Sequence, residues 1–370
     1  FNRSGGGGAY GGNGGDNSDT TALGGSAYGS STNPVQLGSG GAAGNHTSNT
    51  VDENGGAGGG LAILTVTGTT TIDGSILASG AVGAIDGIYA GGSGSGGGIN
   101  LTTGSLEGAG TVSANGADGA TPVFNSAAGG GGRIAIVHTS GSSNTLTIEA
   151  FGGAGGNAEN GAAGTIYTNS GSETNGTLTV NNNDRVTELA ETPLVDDVTF
   201  DTVTVASSSN LVVATGTTMS YTTLNNTEGG ILTERGIINF PSSFTIDAGG
   251  EVRMDRARSF TNLTVNGTLS HSANTTTQEY ILAVDVTNDL TINSGGAIDV
   301  SEAGFAGGTN EGVSGSGPGG AVAAFNRSGG GGAYGGNGGD NSDTTALGGS
   351  AYGSSTNPVQ LGSGGAAGNH

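Results

Sequence analysis

The sequence predicts an all-β protein, and most specifically a right-handed parallel β-helix (β-solenoid) with glycine-rich loops that repeats in tandem. Three observations predict this fold: a long identical internal repeat, a recurring motif of an apolar residue, threonine and an aliphatic residue, and the combination of 81 glycines in 370 residues with only 10% charged residues. A string of β-sandwich domains is the alternative, because both folds are built from short strands of the same pattern.

One long segment occurs twice in the chain without a single change. Residues 1–46 recur as residues 325–370, so the sequence repeats with an offset of 324 (325 minus 1). Composition alone does not produce an identical copy of this length, and such periods are typical of repeat architectures. We therefore predict one complete unit at 1–324, with 325–370 as the start of the next identical unit, and we interpret the chain as an excerpt of a longer array.

Glycine is distributed unevenly within this unit. Residues 1–170 contain most of the glycine-rich runs, residues 171–300 are rich in Thr and Val, and residues 301–324 form a glycine-rich junction. Glycine and asparagine supply the positive φ angles that sharp turns need. We therefore expect two portions of one β-helix, 1–170 and 171–300, in which the glycine-rich runs form the corners and loops.

The strands of this β-helix are predicted from the recurring three-residue motif. The motif begins at Leu64, Leu146, Leu178, Phe244, Leu263 and Leu290. Because side chains alternate between the two faces of a strand, its outer two residues are expected in the core and its threonine at the surface. The last three copies begin at sequence offsets of 19 and then 27 (263 minus 244, 290 minus 263). This spacing suits one coil of a β-helix, whose strands pair with the next coil about 4.8 Å away.

The charge balance and the missing residue types exclude several classes of function. Thirty acidic residues against eight basic ones give a net charge of −22, which opposes binding to nucleic acid or to anionic membranes. All eight basic residues are arginine, so phosphate loops and Schiff-base enzymes that need lysine are excluded. Without cysteine there are no disulfides or thiolate sites. No apolar run approaches the length of a bilayer span, so we expect no membrane insertion.

One glycine-rich stretch partly matches a calcium-binding motif. Residues 11–19, GGNGGDNSD, fit the nonapeptide G-G-x-G-x-D-x-U-x except at its aliphatic position, which Ser18 occupies. Asp16, Asp19 and the turn carbonyls supply the oxygen ligands that Ca²⁺ prefers. Calcium is therefore one possible cofactor, and a solvated glycine-rich turn without any cofactor is the other interpretation.

Three arginines cluster in the stretch RMDRAR. Arg253, Arg256 and Arg258 lie within six positions of an otherwise acidic sequence. Because guanidinium groups pair well with carboxylates, these residues are candidates for contact with an acidic neighbouring filament or an anionic polysaccharide. A ladder of surface ion pairs with Asp255 and with acidic residues of adjacent coils is the alternative.

The sequence contains no recognisable catalytic constellation. Its four histidines, two of which are copies of each other, lie far apart in different contexts, and no G-x-S-x-G nucleophile motif occurs. We therefore predict that the protein is not an enzyme.

Several stretches carry a resemblance to a class of known proteins. They include DLTINSGGAIDVSEAGFAGG, GGGINLTTGSLEGAGTVSANGADG, GGGGRIAIVHT and GAAGTIYT. These stretches resemble the glycine-rich β-helix tracts of very long secreted bacterial surface proteins and adhesins. The resemblance covers most of the unit in patches and consists of structural motifs without a catalytic signature. It implies an extracellular, repeat-built, fibrous protein at the cell surface.

The repeat itself leads to an expected function. A solenoid must cover its terminal coils, because unpaired backbone groups and apolar surface there promote aggregation. A unit followed by the start of the next is covered by its neighbour. We therefore expect a structural segment of an extracellular filament that assembles from adjacent copies of the same repeat. A cell-surface adhesin or stalk that binds glycans or another cell is the alternative.

Overall fold

The computed structural model confirms that the protein is all-β. It describes residues 4–18, 21–45, 53–86, 89–121, 126–187, 190–310, 312–324, 328–342 and 344–368. Strands are the regular secondary structure of these ranges, which contain no helix. Accordingly, the described part of the chain has no helix with the length and apolarity to cross a bilayer.

The strands are short and are numbered in chain order. The first eleven are β1 (Leu61–Thr71), β2 (Ser75–Leu77), β3 (Ile85–Asp86), β4 (Tyr89–Ala90), β5 (Gly98–Glu107), β6 (Thr111–Ser113), β7 (Arg133–Gly141), β8 (Thr147–Glu149), β9 (Thr165–Ser170), β10 (Thr177–Asn181) and β11 (Thr192–Leu194). The others are β12 (Val198–Ala206), β13 (Asn210–Val213), β14 (Thr218–Asn226), β15 (Ile231–Glu234), β16 (Ile237–Ile238), β17 (Ser243–Ile246), β18 (Glu251–Met254), β19 (Arg258–Val265), β20 (Thr268–Ser270), β21 (Val284–Ile292) and β22 (Ala297–Ile298).

The chain folds into two compact units. The first comprises Phe1–Val252, Asn262–Thr268 and Leu290–Gly296, and the second comprises Arg253–Thr261, Leu269–Asp289 and Ala297–His370. The first copy of the repeated segment therefore belongs to the first unit, and the second copy belongs to the second unit.

The largest sheet of the first unit has eight strands in the order β1-β5-β7-β9-β10-β12-β14-β16. All neighbours except β9 and β10 are parallel. From β1 to β9 the paired positions are offset in sequence by 37, 35 and 32 (98 minus 61, 133 minus 98, 165 minus 133). From β10 to β16 the offsets are 25, 21 and 19 (202 minus 177, 219 minus 198, 237 minus 218). The chain thus returns to this sheet at the spacing expected from the motifs after β10, and at a longer spacing before it.

The strand direction reverses once within this sheet. β9 and β10 pair antiparallel, with Leu178 opposite Tyr167, and the short connection between them ends at Gly176, whose φ is +71°. Such a positive φ suits glycine in a tight hairpin turn. A stack of coils with one constant sense keeps every strand parallel, so the uniform stack expected from the sequence is interrupted at this hairpin.

Smaller parallel sheets complete the apolar core of the first unit. β2, β6 and β8 pair in register at a constant sequence offset of 36 (111 minus 75, 147 minus 111), and β11, β13 and β15 pair at offsets of 19 and 21 (211 minus 192, 231 minus 210). One core cluster joins the side chains of β5, β7 and β9 to those of β2, β6 and β8. It includes Ile99, Leu101, Ile134, Ile136, Ile166 and Val112, with Ile76 and Ile148 packed against it.

The motif predicted the buried face correctly in some strands and wrongly in others. In β10, Leu178 and Val180 are fully buried and Thr179 between them is partly exposed. The same alternation occurs at Phe244 and Ile246 in β17. Leu64, in contrast, is 39% exposed. Leu290 and Ile292 in β21 are also exposed, at 50% and 49%, so the expectation of burial is wrong in both β1 and β21. Both are end strands of their sheets, but so is β17, so the end position does not by itself explain the exposure.

The glycine-rich segments of the first unit are packed rods rather than loops. In residues 91–97, every third backbone amide donates to the same neighbouring segment. The donors to residues 78–84 are Gly91, Gly94 and Gly97, the donors to residues 39–42 are Gly92 and Ser95, and the donors to residues 127–130 are Ser93 and Gly96. A period of three matches the polyproline II helix, which has three residues per turn and no internal hydrogen bonds. Each rod therefore bonds to three neighbours, whereas a strand in a sheet bonds to two.

Candidate functional site

The candidate site is the face of the repeated segment that other glycine-rich segments cover. The two copies of the segment have the same internal hydrogen bonds. In the first copy, the amides of Gly25 and Tyr28 donate to the carbonyls of Gly7 and Tyr10 at 2.8 and 2.9 Å. In the second copy, the equivalent bonds from Gly349 and Tyr352 to Gly331 and Tyr334 measure 3.0 and 2.7 Å. The sequence therefore determines the local conformation in both places.

Residues 53–59, 90–93 and 128–131 cover the first copy through backbone hydrogen bonds. The donors to residues 53–59 are Gly38, Gly41 and Gly44, at 2.8 to 3.0 Å. Gly5 and Gly8 donate to residues 90 and 93, and Gly12 and Gly15 donate to residues 131 and 128. Every third residue again faces the same neighbour. The first copy is thus one of the glycine-rich rods of the first unit. We call this set of rods, which hydrogen-bond side by side, the lattice.

Contact with the covering segments leaves no room for side chains on the first copy. A Cβ atom at Gly11 would lie 2.1 Å from the carbonyl oxygen of Gly132. At Gly12 and Gly15 it would lie 2.2 Å from the oxygens of Ala163 and Glu159. Such distances are far inside van der Waals contact. These glycines are therefore required for close approach, and their role differs from the corner positions expected from the sequence.

Arg133, at the start of β7, anchors the covered face. Its side chain is fully buried. Nε donates to the carbonyl of Tyr28 at 2.9 Å, Nη1 to the Thr165 hydroxyl at 3.1 Å and Nη2 to the carbonyl of Pro193 at 3.5 Å. The guanidinium carbon also lies 5.8 Å from the ring centroid of Tyr10, within the range of a cation–π interaction. One cation thus connects the repeated segment to β7, β9 and β11.

Burial changes the ionisation of this cluster. Loss of solvation lowers the pKa of Arg133 to about 10, opposed by Tyr10 and the carboxylate of Asp196. The guanidinium therefore remains charged at neutral pH. Burial also raises the pKa of Tyr10, whose hydroxyl accepts a hydrogen bond from the Gln36 amide at 3.3 Å. The result is a cation held among neutral acceptors and an aromatic ring.

The same face is open in the second copy. Gly335, Gly336 and Gly339 correspond to Gly11, Gly12 and Gly15, and no atom of the described residues beyond the chain neighbours lies within 4 Å of where a Cβ on any of the three would be. All three are exposed, whereas their counterparts in the first copy are buried. The hydroxyl of Tyr334 is enclosed, and no described residue forms a hydrogen bond with it.

Of the two predicted calcium ligands, Asp16 lies at the edge of the covered face. Its Oδ1 accepts a hydrogen bond from the Gly24 amide at 2.6 Å, and its own amide donates to the Glu159 carboxylate at 3.2 Å. Asp19 lies outside the described residues. Within the described ranges, no group of three or more His, Cys, Asp or Glu side chains is placed to hold a metal ion.

The predicted arginine cluster lies in the second unit, at the β18–β19 connection. Arg253 belongs to β18 and Arg258 to β19, and Arg256 between them is exposed. Burial lowers the pKa of Arg258. The Asp255 carboxylate, considered as their partner in a surface ladder, accepts a hydrogen bond from the Ser272 amide at 2.7 Å.

A polar groove of about 690 Å³ lies beside the β9–β10 hairpin. His138 and Glu173 are among its lining residues. The hydroxyls of Ser170 and Thr177 donate to the Glu173 carboxylate at 3.0 and 2.7 Å. Burial acts to raise the pKa of Glu173, but the hydrogen bonds from Ser170 and Thr177 together lower it below its ordinary value. The described residues that line the groove include no Tyr, Phe or Trp ring on which a sugar could stack.

Comparison with known proteins gives no match to a family model, a curated protein or a solved structure.

The role of Arg133 could not be predicted from its sequence context. Its one visible signal is the position of a charged residue between a four-glycine run and an apolar strand, in GGGGRIAIV.

Proposed function

We propose that the chain is a structural segment of an extracellular filament, in which repeat units follow one another and their strands stack as the coils of a parallel β-solenoid. The observation that carries this proposal is that the same face of the repeated segment is covered in one copy and open in the other. The first copy is covered by the glycine rods of the unit that contains it, and the identical face of the second copy is open. A repeated, self-complementary surface is what a chain of like units requires.

A second contact supports the same proposal from the other side of the segment. In the second copy, the amides of Gly364 and Ala367 donate to Ser316 and Val313, which precede the copy, at 2.9 Å. In the first copy, Gly38, Gly41 and Gly44 donate to residues 53–59, which follow the copy. The two sets of amides lie at different positions of the three-residue period, so they point to different sides of the segment. One segment can therefore bind the end of one unit and the beginning of the next at the same time.

The strand pairing is also compatible with a stacked array. Parallel, in-register pairs recur in the first unit at sequence offsets between 19 (237 minus 218) and 37 (98 minus 61). The cell surface is the proposed location, in line with the resemblance to secreted surface proteins. Glycan binding by an adhesin is the alternative function. Because the described residues that line the groove near Glu173 include no Tyr, Phe or Trp ring for a sugar to stack on, we favour the filament.

Electron microscopy and fibre diffraction of the assembled protein test the proposal. The eight-stranded sheet takes seven steps to pass from position 61 to position 237, so the sequence advances by about 25 at each step ((237 minus 61) divided by 7). At this average, the unit 1–324 makes at most about 13 steps, or up to roughly 60 Å at about 4.8 Å each, because residues 4–45 bond beside residues 90–93 and 128–131 and add no strand to the sheet. We expect filaments with a meridional reflection at about 4.8 Å and an axial period at or somewhat below this value. A beaded outline without that reflection would contradict the proposal.

A further inference from the structure

We propose that Tyr334, Tyr352 and the open glycines Gly335, Gly336 and Gly339 form a docking face for another copy of the repeat unit. This inference rests on the proposed function and specifies its contact. The residues that dock are the glycine-rich residues 126–164 of that other copy, and they include its Arg133.

The first copy provides the pattern of contacts for this docking face. Tyr334 and Tyr352 are the second-copy equivalents of Tyr10 and Tyr28, and their rings pack at a centroid distance of 5.1 Å, compared with 5.0 Å in the first copy. In the first copy this pair receives Arg133, which donates to the Tyr28 carbonyl and lies over the Tyr10 ring. The Arg133 of a docking unit would donate to the carbonyl of Tyr352 and lie over the ring of Tyr334.

The open glycines limit which partner can dock. In the first copy, each covering rod approaches so closely that its carbonyls occupy the positions where Cβ atoms of Gly11 and Gly12 would lie. A partner must therefore bring small residues at a period of three and a cation at the tyrosine pair. Residues 126–164 of this repeat meet both conditions, and the chain contains them once, already placed on the first copy. The partner is accordingly another copy of the repeat unit. It is either a following unit of the same chain or a unit of a separate chain whose own first copy has been displaced from residues 126–164.

Disulfide trapping in the full chain tests this contact, because the chain contains no cysteine of its own. Residues 16 and 159 are adjacent in the first copy, since the Glu159 amide donates to the Asp16 carbonyl at 3.1 Å. Asp340 is the second-copy equivalent of Asp16. The D340C/E159C variant, refolded at high protein concentration and then oxidised, should form disulfide-linked dimers and larger species. Refolding at low concentration should give mainly uncrosslinked monomer.

The D16C/E159C variant is the matched control. It should close a disulfide within the monomer at any concentration, and this closure shows that the two positions can be bridged. If D16C/E159C closes while D340C/E159C stays uncrosslinked at concentrations where the chain associates, the inference is wrong even if filaments form. If D340C/E159C crosslinks but no filaments are seen by electron microscopy, the docking face stands and the proposed filament fails.

Alanine substitutions separate docking from folding. G335A/G336A/G339A adds methyl groups that have open space in the chain itself but would overlap the carbonyls of a docked unit. Added to D340C/E159C, it should reduce the crosslinked fraction by about tenfold or more, because forcing a methyl group into a packed contact costs at least this much in binding. G60A/G68A/G74A, at three exposed glycines that also have open space, should leave the fraction unchanged. Equal crosslinking in both triple variants would overturn the inference.

Discussion

A single buried cation connects segments that are far apart in the sequence. Arg133 reaches the carbonyl of Tyr28, 105 positions earlier, and that of Pro193, 60 positions later. Taking a guanidinium out of water costs several kcal/mol, and charge-assisted hydrogen bonds together with the Tyr10 ring offset that cost. The residue is useful here because its donors fan out in one plane and reach three segments at once.

Replacing this cation should destabilise the first unit. We expect Arg133→Met, which removes the guanidinium but keeps an unbranched apolar side chain, to lower the free energy of unfolding by about 2–4 kcal/mol, because buried acceptors lose their donor. Urea unfolding followed by circular dichroism measures the change. Arg256→Met, at an exposed position, is the control and should stay within about 0.5 kcal/mol of the parent. Equal midpoints for the two variants would show that Arg133 does not stabilise the lattice.

Two kinds of extended element make up the first unit, and they were unequally predictable. The strands were predictable because an alternation of apolar residues and threonine, as at Leu178 and Val180, indicates a strand with one buried face. The glycine rods carry no apolar periodicity, since their contacts are made by the backbone. Their sequence signal, a run of glycine, is the same as that of a flexible turn. Packing of rods against one another decides between the two, and a single segment does not contain that information.

The rods should tolerate no side chain where neighbouring carbonyls approach. A Cβ at Gly130 would lie 2.1 Å from the carbonyl oxygen of Gly12, so we expect Gly130→Ala to cost about 3 kcal/mol or more, or to prevent folding. Gly74→Ala is the matched control, because Gly74 is exposed with open space around it, and its effect should stay within about 0.5 kcal/mol. Thermal unfolding by calorimetry compares the two variants. Similar melting temperatures for both would argue against close packing of the rods.

At the scale of the whole molecule, one repeated sequence adopts the same local fold in two different surroundings. The identical repeat predicts, without coordinates, that units follow one another, and this stays a prediction. Which face of the segment is covered, and by which residues, could not be predicted, because the contacts of Gly11 and Gly12 involve backbone atoms that are remote in the sequence, at Gly132 and Ala163. The hairpin that reverses the strand direction at β9 and β10 was missed for a related reason. Its turn carries the same Gly, Ser and Asn residues as the corners of a uniform coil.

Limited digestion with trypsin should report how completely the lattice protects the chain. Trypsin can cut only after the eight arginines, and the structure distinguishes sharply among the six that it describes; Arg3 and Arg327 lie outside the described residues. Arg133 is fully buried at the start of β7, whereas Arg256 and Ala257 lie exposed between β18 and β19. Among the six described sites, we expect the native protein to be cut first after Arg256, which gives the fragments 1–256 and 257–370, and to resist cleavage after Arg133. Mass spectrometry of a time course identifies the cuts, with Arg133→Met as a control for the assignment of the 133 site. Early cleavage after Arg133 in the parent chain would mean that the glycine rods are open in solution, because a protease needs an unfolded stretch of backbone at the bond that it cuts.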